Sequence, residues 1–217
     1  MNRLAILHTG SFLVDLFKRM IGEKYPGLST FHMLDESLIQ DLLGKGESPG
    51  IVRRIATHAT LAEAAGADLL LFTCSSTSPA VEVARRMVGI PIIKIDDAMA
   101  RKAVQIGGRI GLVCSTSSTV APSTGLVREH ADKAGKKVEI VHELKSDAFS
   151  AIVAGDRAKH DAIISETALG LAESCDVVLL AQASMAHLRD DLSGKTAKPI
   201  LASPELCVES LAEYISA

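Results

Sequence analysis

Tryptophan is absent from the 217-residue chain, and its aromatic residues number two Tyr and five Phe. Recognition of nucleic acid calls for a basic face with rings to stack on bases. Here 23 Lys and Arg face 26 Asp and Glu, a net charge of -3, so nucleic acid is not expected as a partner. Long apolar runs are missing as well. Stretches such as Ala67 to Phe72 stop far short of the ~20 residues of a spanning helix, and no membrane partner is expected. The start, Met1 to Leu7 followed by His8 and Asp15, has too little apolar length for a secretory signal, which makes the cytoplasm the expected address.

Motifs for metals and nucleotides are lacking too. Cys74, Cys114, Cys175 and Cys207 are scattered without a CxxC pair, which argues against a disulfide framework and a zinc site. The histidines show no HExxH spacing, and His58 and His142 read as solvated or capping residues. Neither GxGxxG nor GxxxxGK[ST] occurs, and no GxSxG elbow marks a hydrolase. No metal and no cofactor are expected.

What is present is alternation. Short apolar runs near Arg3 to His8, Ser29 to Leu34, Asp68 to Phe72, Pro91 to Ile95, Arg109 to Val113, Val138 to His142, Val177 to Leu180 and Pro199 to Leu201 alternate with helical periodicity. That order predicts an α/β protein with parallel sheets covered by helices. Between residues 51 and 65, Ile51, Ile55, Ala59 and Ala62 make one apolar stripe, with Arg53 and Arg54 expected in solvent.

The chain also repeats itself. Gly66 to Ser76 can be laid on Ser174 to Ser184 with an offset of 182 - 74 = 108, and Gly89 to Ile93 on Ala197 to Leu201 with 199 - 91 = 108. Arg3 to Thr9 resembles Arg109 to Ser115 at 109 - 3 = 106. Any two βα units share apolar runs, but a constant offset predicts two pseudo-symmetric doubly wound lobes, residues 1-96 plus 203-217 and residues 97-202. The active site is then expected between them, at the C-terminal ends of the strands.

Hydroxyls gather at those ends. Thr9 and Ser11 follow the first strand, and Thr73, Ser75, Ser76, Thr77 and Ser78 surround Cys74. Ser115, Thr116, Ser117, Ser118 and Thr119 follow Cys114, and Ser184 follows Gln182. Singly, each is as readily a helix N-cap. Together they suit a small anion held by hydroxyls and helix-end N-H groups without a cation. Cys74 stands between a buried strand and a helix start expected at Ser78-Pro79, a place that favours a thiolate, although a buried cysteine also fills space. Cys175 and Cys207 read as structural.

Thr73-Cys74-Ser75-Ser76, Val88-Gly89-Ile90-Pro91, the run Cys114 to Thr124 and Leu180-Ala181-Gln182-Ala183-Ser184-Met185 together resemble the aspartate/glutamate/hydantoin racemase superfamily, which includes arylmalonate decarboxylase and maleate isomerase. The resemblance covers nearly the whole chain. It implies two pseudo-symmetric lobes, no pyridoxal phosphate or metal, and two cysteines that exchange a proton with opposite faces of the carbon beside a carboxylate. Cys74 matches the first cysteine, but Gln182 stands in place of the second, and a carboxamide cannot move a proton.

The resulting expectation is a cofactor-independent racemase or epimerase of a small acid. Cys74 is its base and Gln182 a hydrogen-bond donor to the developing enolate, while Thr9, Ser75, Ser76, Thr77, Ser115, Ser118, Thr119 and Ser184 hold the substrate. His8 or Ser184 is an alternative group for the second face. A single-thiol decarboxylase, lyase or cis-trans isomerase and a non-catalytic binding module remain open. The expected partners are a small carboxylate and further copies of the chain, and the lack of Arg or Lys in the clusters argues against a dicarboxylic amino acid.

Overall fold

Leu4, Ala5, Ile6 and Leu7 form an unbroken apolar run with no exposed surface, the mark of a strand covered on both faces. This strand organises the first of two units in the computed structural model, which describes residues 2-215. The first unit contains β1 (Arg3–His8), α1 (Phe12–Lys24), β2 (Ser29–Leu34), α2 (Ser37–Lys45), α3 (Pro49–Ala64) and β3 (Leu69–Phe72). A 3₁₀ turn (Ser78–Ala80), α4 (Val81–Ala84) and β4 (Ile92–Lys94) complete its sheet. The second contains α5 (Asp97–Ile106), β5 (Arg109–Cys114), α6 (Ser117–Lys133), β6 (Glu139–Leu144), α7 (Ser146–Val153), α8 (Arg157–Ser174) and β7 (Val177–Leu180). A second 3₁₀ turn (Ala183–Leu188), α9 (Arg189–Ser193) and β8 (Ile200–Ala202) complete its sheet; α10 (Ser203–Ser210) then leads back to the first unit, to which α11 (Ala212–Ile215) belongs.

One unit comprises residues through Ile95 with those from Val208, and the other Asp96 to Cys207. The sequence boundary stood at 203. The helix from Ser203 instead begins in the second unit, where Leu206 packs on a core of Met99, Leu112 and Leu179.

Each unit holds a four-stranded parallel sheet, in the order β2-β1-β3-β4 in the first and β6-β5-β7-β8 in the second. The repeat read from sequence extends to individual hydrogen bonds. Asp68 Oδ2 accepts from the backbone N-H groups of Asn2 and Arg3 at 2.7 and 2.9 Å, and Asp176 Oδ2 from those of Gly108 and Arg109 at 2.9 and 2.8 Å. These donors hold both carboxyls below their ordinary range. Leu70 N-H donates to the Pro91 carbonyl, and Val178 N-H to that of Pro199.

All eight expected strands form, with small shifts. Asp68 drops out of β3 because its side chain clasps the start of β1. Each Pro-led strand begins one residue after the proline, at Ile92 and Ile200. β6 runs on to Leu144, paired with Cys114. Ser48 caps α3 by accepting from Ile51 N-H, Pro49 supplies the first turn, and the expected stripe is buried.

The clasp at Asp176 leaves no room for a side chain at Gly107. A Cβ there would sit 2.3 Å from Asp176 Cβ. Gly107→Ala is expected to cost about 1–3 kcal/mol, read as a fall in Tm of several degrees, whereas Ala at Gly125, with nothing within 4 Å, should not repeat it.

Candidate active site

In the first unit the ends of β1 and β3 meet through side chains. Thr73 Oγ1 donates to the Leu7 carbonyl at 3.1 Å, so it accepts from His8 Nδ1 at 2.9 Å. That places the His8 proton on Nδ1 and leaves Nε2 to accept from His32 Nδ1 at 2.9 Å. His8 has no exposed surface; burial and the neighbouring His32 push its pKa down to about 3. The expectation of His8 as a group for the second substrate face therefore fails, because both of its ring nitrogens are committed to Thr73 and His32.

Cys74 follows Thr73 at 7% exposure and packs partly in the first unit's core. Thr9, Ser75, Ser76, Thr77 and Ser78 are buried around the same sheet edge. The helix expected from Ser78 is only a 3₁₀ turn followed by the four residues of α4, so no long dipole stands behind the thiol.

At the β2 end a network lies where the sequence reading saw none. Asp35 Oδ1 accepts from Ser37 N-H at 3.1 Å and from the Ser37 hydroxyl, and Asp35 Oδ2 accepts from His58 Nε2 at 3.0 Å. Arg54 joins Ser37 to Asp41, with Nη2 2.6 Å from Asp41 Oδ2. Burial alone would raise the Asp35 carboxyl, but the Ser37 and His58 hydrogen bonds and the charges of His58 and Arg54 hold it below its usual range. Arg54 and His58 are thus tied to this corner rather than solvated, while Arg53 is exposed as expected. No periodicity links Asp35 to residues on α3; only the fold does.

The strand ends are not wholly without a cation. Lys94 closes β4, buried, and donates to Glu82 Oε1 at 2.9 Å. Its charge is already matched within the unit.

In the second unit Gln182 follows β7 at the position matching Cys74. Its Oε1 accepts from Ser115 N-H at 2.6 Å and from the Ser115 hydroxyl at 2.9 Å, so the amide's orientation is set by two donors. Nε2 reaches Thr116 Oγ1 at 3.5 Å, which leaves one amide hydrogen without a partner among the described residues. Thr116 is the hub: Ser118 Oγ donates to it at 3.3 Å, and Thr119 shares a hydrogen bond with it at 2.8 Å. Thr119 has no exposed surface and supports Thr116, whereas Ser118 and Ser184 are half-buried. Thr116 is the N-cap residue of α6, in extended conformation, and its place before a hydroxyl-rich helix start was the signal for it.

The turn after Gln182 is anchored by Asp161 of α8, which accepts from His187 Nε2 at 2.9 Å and His160 Nδ1 at 2.7 Å. Cys114, which ends β5 as His8 ends β1, is fully buried; burial and the charge of Asp96 push its thiol up to about 12. Cys175 and Cys207 are buried as well. Among the described residues no group of three or more His, Cys, Asp or Glu side chains is arranged to hold a metal ion, and no helix is long and apolar enough to cross a membrane.

Comparison with known proteins bears on the family and the fold. A family model described as Asp/Glu/Hydantoin racemase matches residues 18–211. Among solved structures, a protein from Yersinia pestis assigned as an Asp/Glu racemase is 18% identical with a TM-score of 0.78, each chain covered fully. An aspartate racemase from Picrophilus torridus is 15% identical at a TM-score of 0.76, covering 100% of this chain and 95% of the other. Allantoin racemase from Klebsiella pneumoniae is 14% identical at 0.71, covering 100% and 88%. Likenesses at this level of identity speak for the fold.

Proposed function

The chain belongs to the Asp/Glu/Hydantoin racemase family, and from that premise we propose that it moves a proton at the carbon beside the carboxylate of a small acid, with Cys74 as the base. Membership supports an isomerase of the racemase kind, acting without a cofactor. Cys74 abstracts the α-proton, and Gln182 donates its uncommitted amide hydrogen to the enolate oxygen as charge develops there. Thr9, Ser75, Ser76 and Thr77 beside Cys74 and Ser184 beside Gln182 are the groups proposed to bind the substrate, while Ser115, Thr116, Ser118 and Thr119 hold the Gln182 amide in place. The cytoplasm remains the proposed location and further copies of the chain the proposed protein partners.

The observation that carries this reading is the state of the Gln182 amide. Its oxygen is saturated by Ser115, so the group has only an N-H to offer and no proton to exchange. A fixed donor of this kind stabilises an enolate by a factor of about 10²–10³ in rate. The same observation favours a second reading, in which Cys74 works alone as the proton donor of a decarboxylase or related lyase, since a one-faced site needs no second thiol.

The test is exchange of the α-hydrogen in deuterium oxide, followed by ¹H NMR over a panel of 2-substituted carboxylic acids and their malonic counterparts. Exchange supports proton transfer at the carbon beside the carboxylate, and loss of carbon dioxide from a malonate supports the lyase. Neither with any acid overturns the assignment.

A further inference from the structure

A cavity of about 160 Å³ lies inside the first unit, beside the turn that carries Cys74. Ser76 and Thr77, two and three residues past the thiol, form one side of it. Leu42 of α2, Ile51 and Val52 of α3, and Val83 of α4 form the apolar walls. Glu47, exposed to solvent, stands at the rim, and no basic residue lines the space.

From this we infer that the substrate carries an apolar substituent, a ring or branched alkyl group, and that this cavity receives it. The inference rests on the reading of Cys74 as the base and names the class of acid on which that base acts.

Three features choose the occupant. The volume is close to that of an apolar cavity of about 150 Å³ that takes up benzene, so a single six-membered ring fits. The Leu42, Ile51, Val52 and Val83 walls offer dispersion and desolvation to an apolar group, and the hydroxyls in the lining are those of Ser48, Ser76 and Thr77. A second carboxylate would meet the Glu47 charge at the entrance and find no cation within, so a dicarboxylic acid is disfavoured by the same geometry that favours a ring. Ser76 and Thr77 belong both to this lining and to the hydroxyl cluster around Cys74, which places the proposed carboxylate and substituent sites on adjoining residues.

The corresponding place in the second unit is built differently. The first buried position of α3 is Ile51, and that of α8 is His160; Pro79 of the first turn matches His187 of the second at 187 - 79 = 108. There the His160-Asp161-His187 hydrogen bonds occupy the position.

The experiment uses the full chain with labelled methyl groups and two probes, phenylacetate and acetate. Phenylacetate is expected to shift the Leu42, Ile51 and Val52 methyl resonances through its ring current, and acetate is not. Val52→Phe should fill the space, abolish those shifts and lower the ratio of exchange rates for 2-phenylpropionate over lactate by about tenfold or more. Should that variant fail to fold, Val83→Phe fills the cavity from a residue that is 45% exposed. If phenylacetate moves none of these methyls, or moves them equally in the filled variant, the inference is overturned even where small acids exchange. Methyl shifts without exchange of any acid would leave the cavity assignment standing and remove the catalytic reading on which the substrate class depends.

Discussion

Cys74→Ala is expected to lose about 10²–10⁴ in the rate of α-hydrogen exchange, the full worth of a positioned base, because no second group can compensate. Gln182 has no proton to move. His8 lies in the core with both nitrogens bonded, and the Cys114 thiol is buried and held neutral. For the same reason the wild type should exchange on one face and return the deuterated acid with its configuration kept. Exchange monitored by NMR alongside chiral chromatography separates the two quantities.

Gln182→Cys sharpens the test. A thiol at 182 should open the opposite face and raise the ratio of racemisation to exchange. It also removes the acceptor for Ser115 N-H and Oγ, so a loss of about 1–3 kcal/mol in stability is expected beside the gain. Ala at 182 should show that loss without any racemisation. Full exchange by Cys74→Ala, or racemisation by the wild type at the rate of exchange, would defeat the single-thiol assignment.

Much of the architecture is legible in the sequence because the central strands are uninterrupted apolar runs, and a run such as Leu4 to Leu7 has one stable place in an α/β sheet. The offset of 108 is equally plain, since Asp68 and Asp176 recur before matching strands and do the same work there. Cys74 and Gln182 could be singled out from their places after β3 and β7. What could not be read was register. β1 pairs Ile6 with His32, and only that pairing sets His32 where it can meet His8, 24 residues away in sequence. The Asp35-His58 contact has the same origin in packing between β2 and α3. The turn after Cys74 was misjudged because Ser-Pro marks the first turn of a helix without fixing its length.

The stability of the protein should fall as pH drops from about 6.5 toward 4, ahead of ordinary carboxylate protonation, and the cause is the His8-His32 pair. Burial and the neighbouring ring lower His8 to about 3, and burial followed by the Lys18 charge also lowers His32, with Asp15 acting in the opposite sense. Neither ring readily takes a proton while the first unit is folded. In the unfolded chain both titrate near 6.5, so below that pH the unfolded state binds more protons than the native state. Stability is then complete above about 6.5 and is lost progressively as pH falls toward the folded value of His8, at a limiting slope of about 1.4 kcal/mol per pH unit for that residue. Over the span to pH 4 this amounts to roughly 3 kcal/mol. The carboxyls of Asp35, Asp68, Asp161 and Asp176, all held below their ordinary range, contribute at lower pH and leave this window to the histidines. Urea unfolding at intervals between pH 7.5 and 4 measures the slope, and His8→Asn, which keeps a hydrogen-bonding side chain beside Thr73 but cannot titrate, should flatten it. An equal slope in the two proteins would place the acid sensitivity elsewhere.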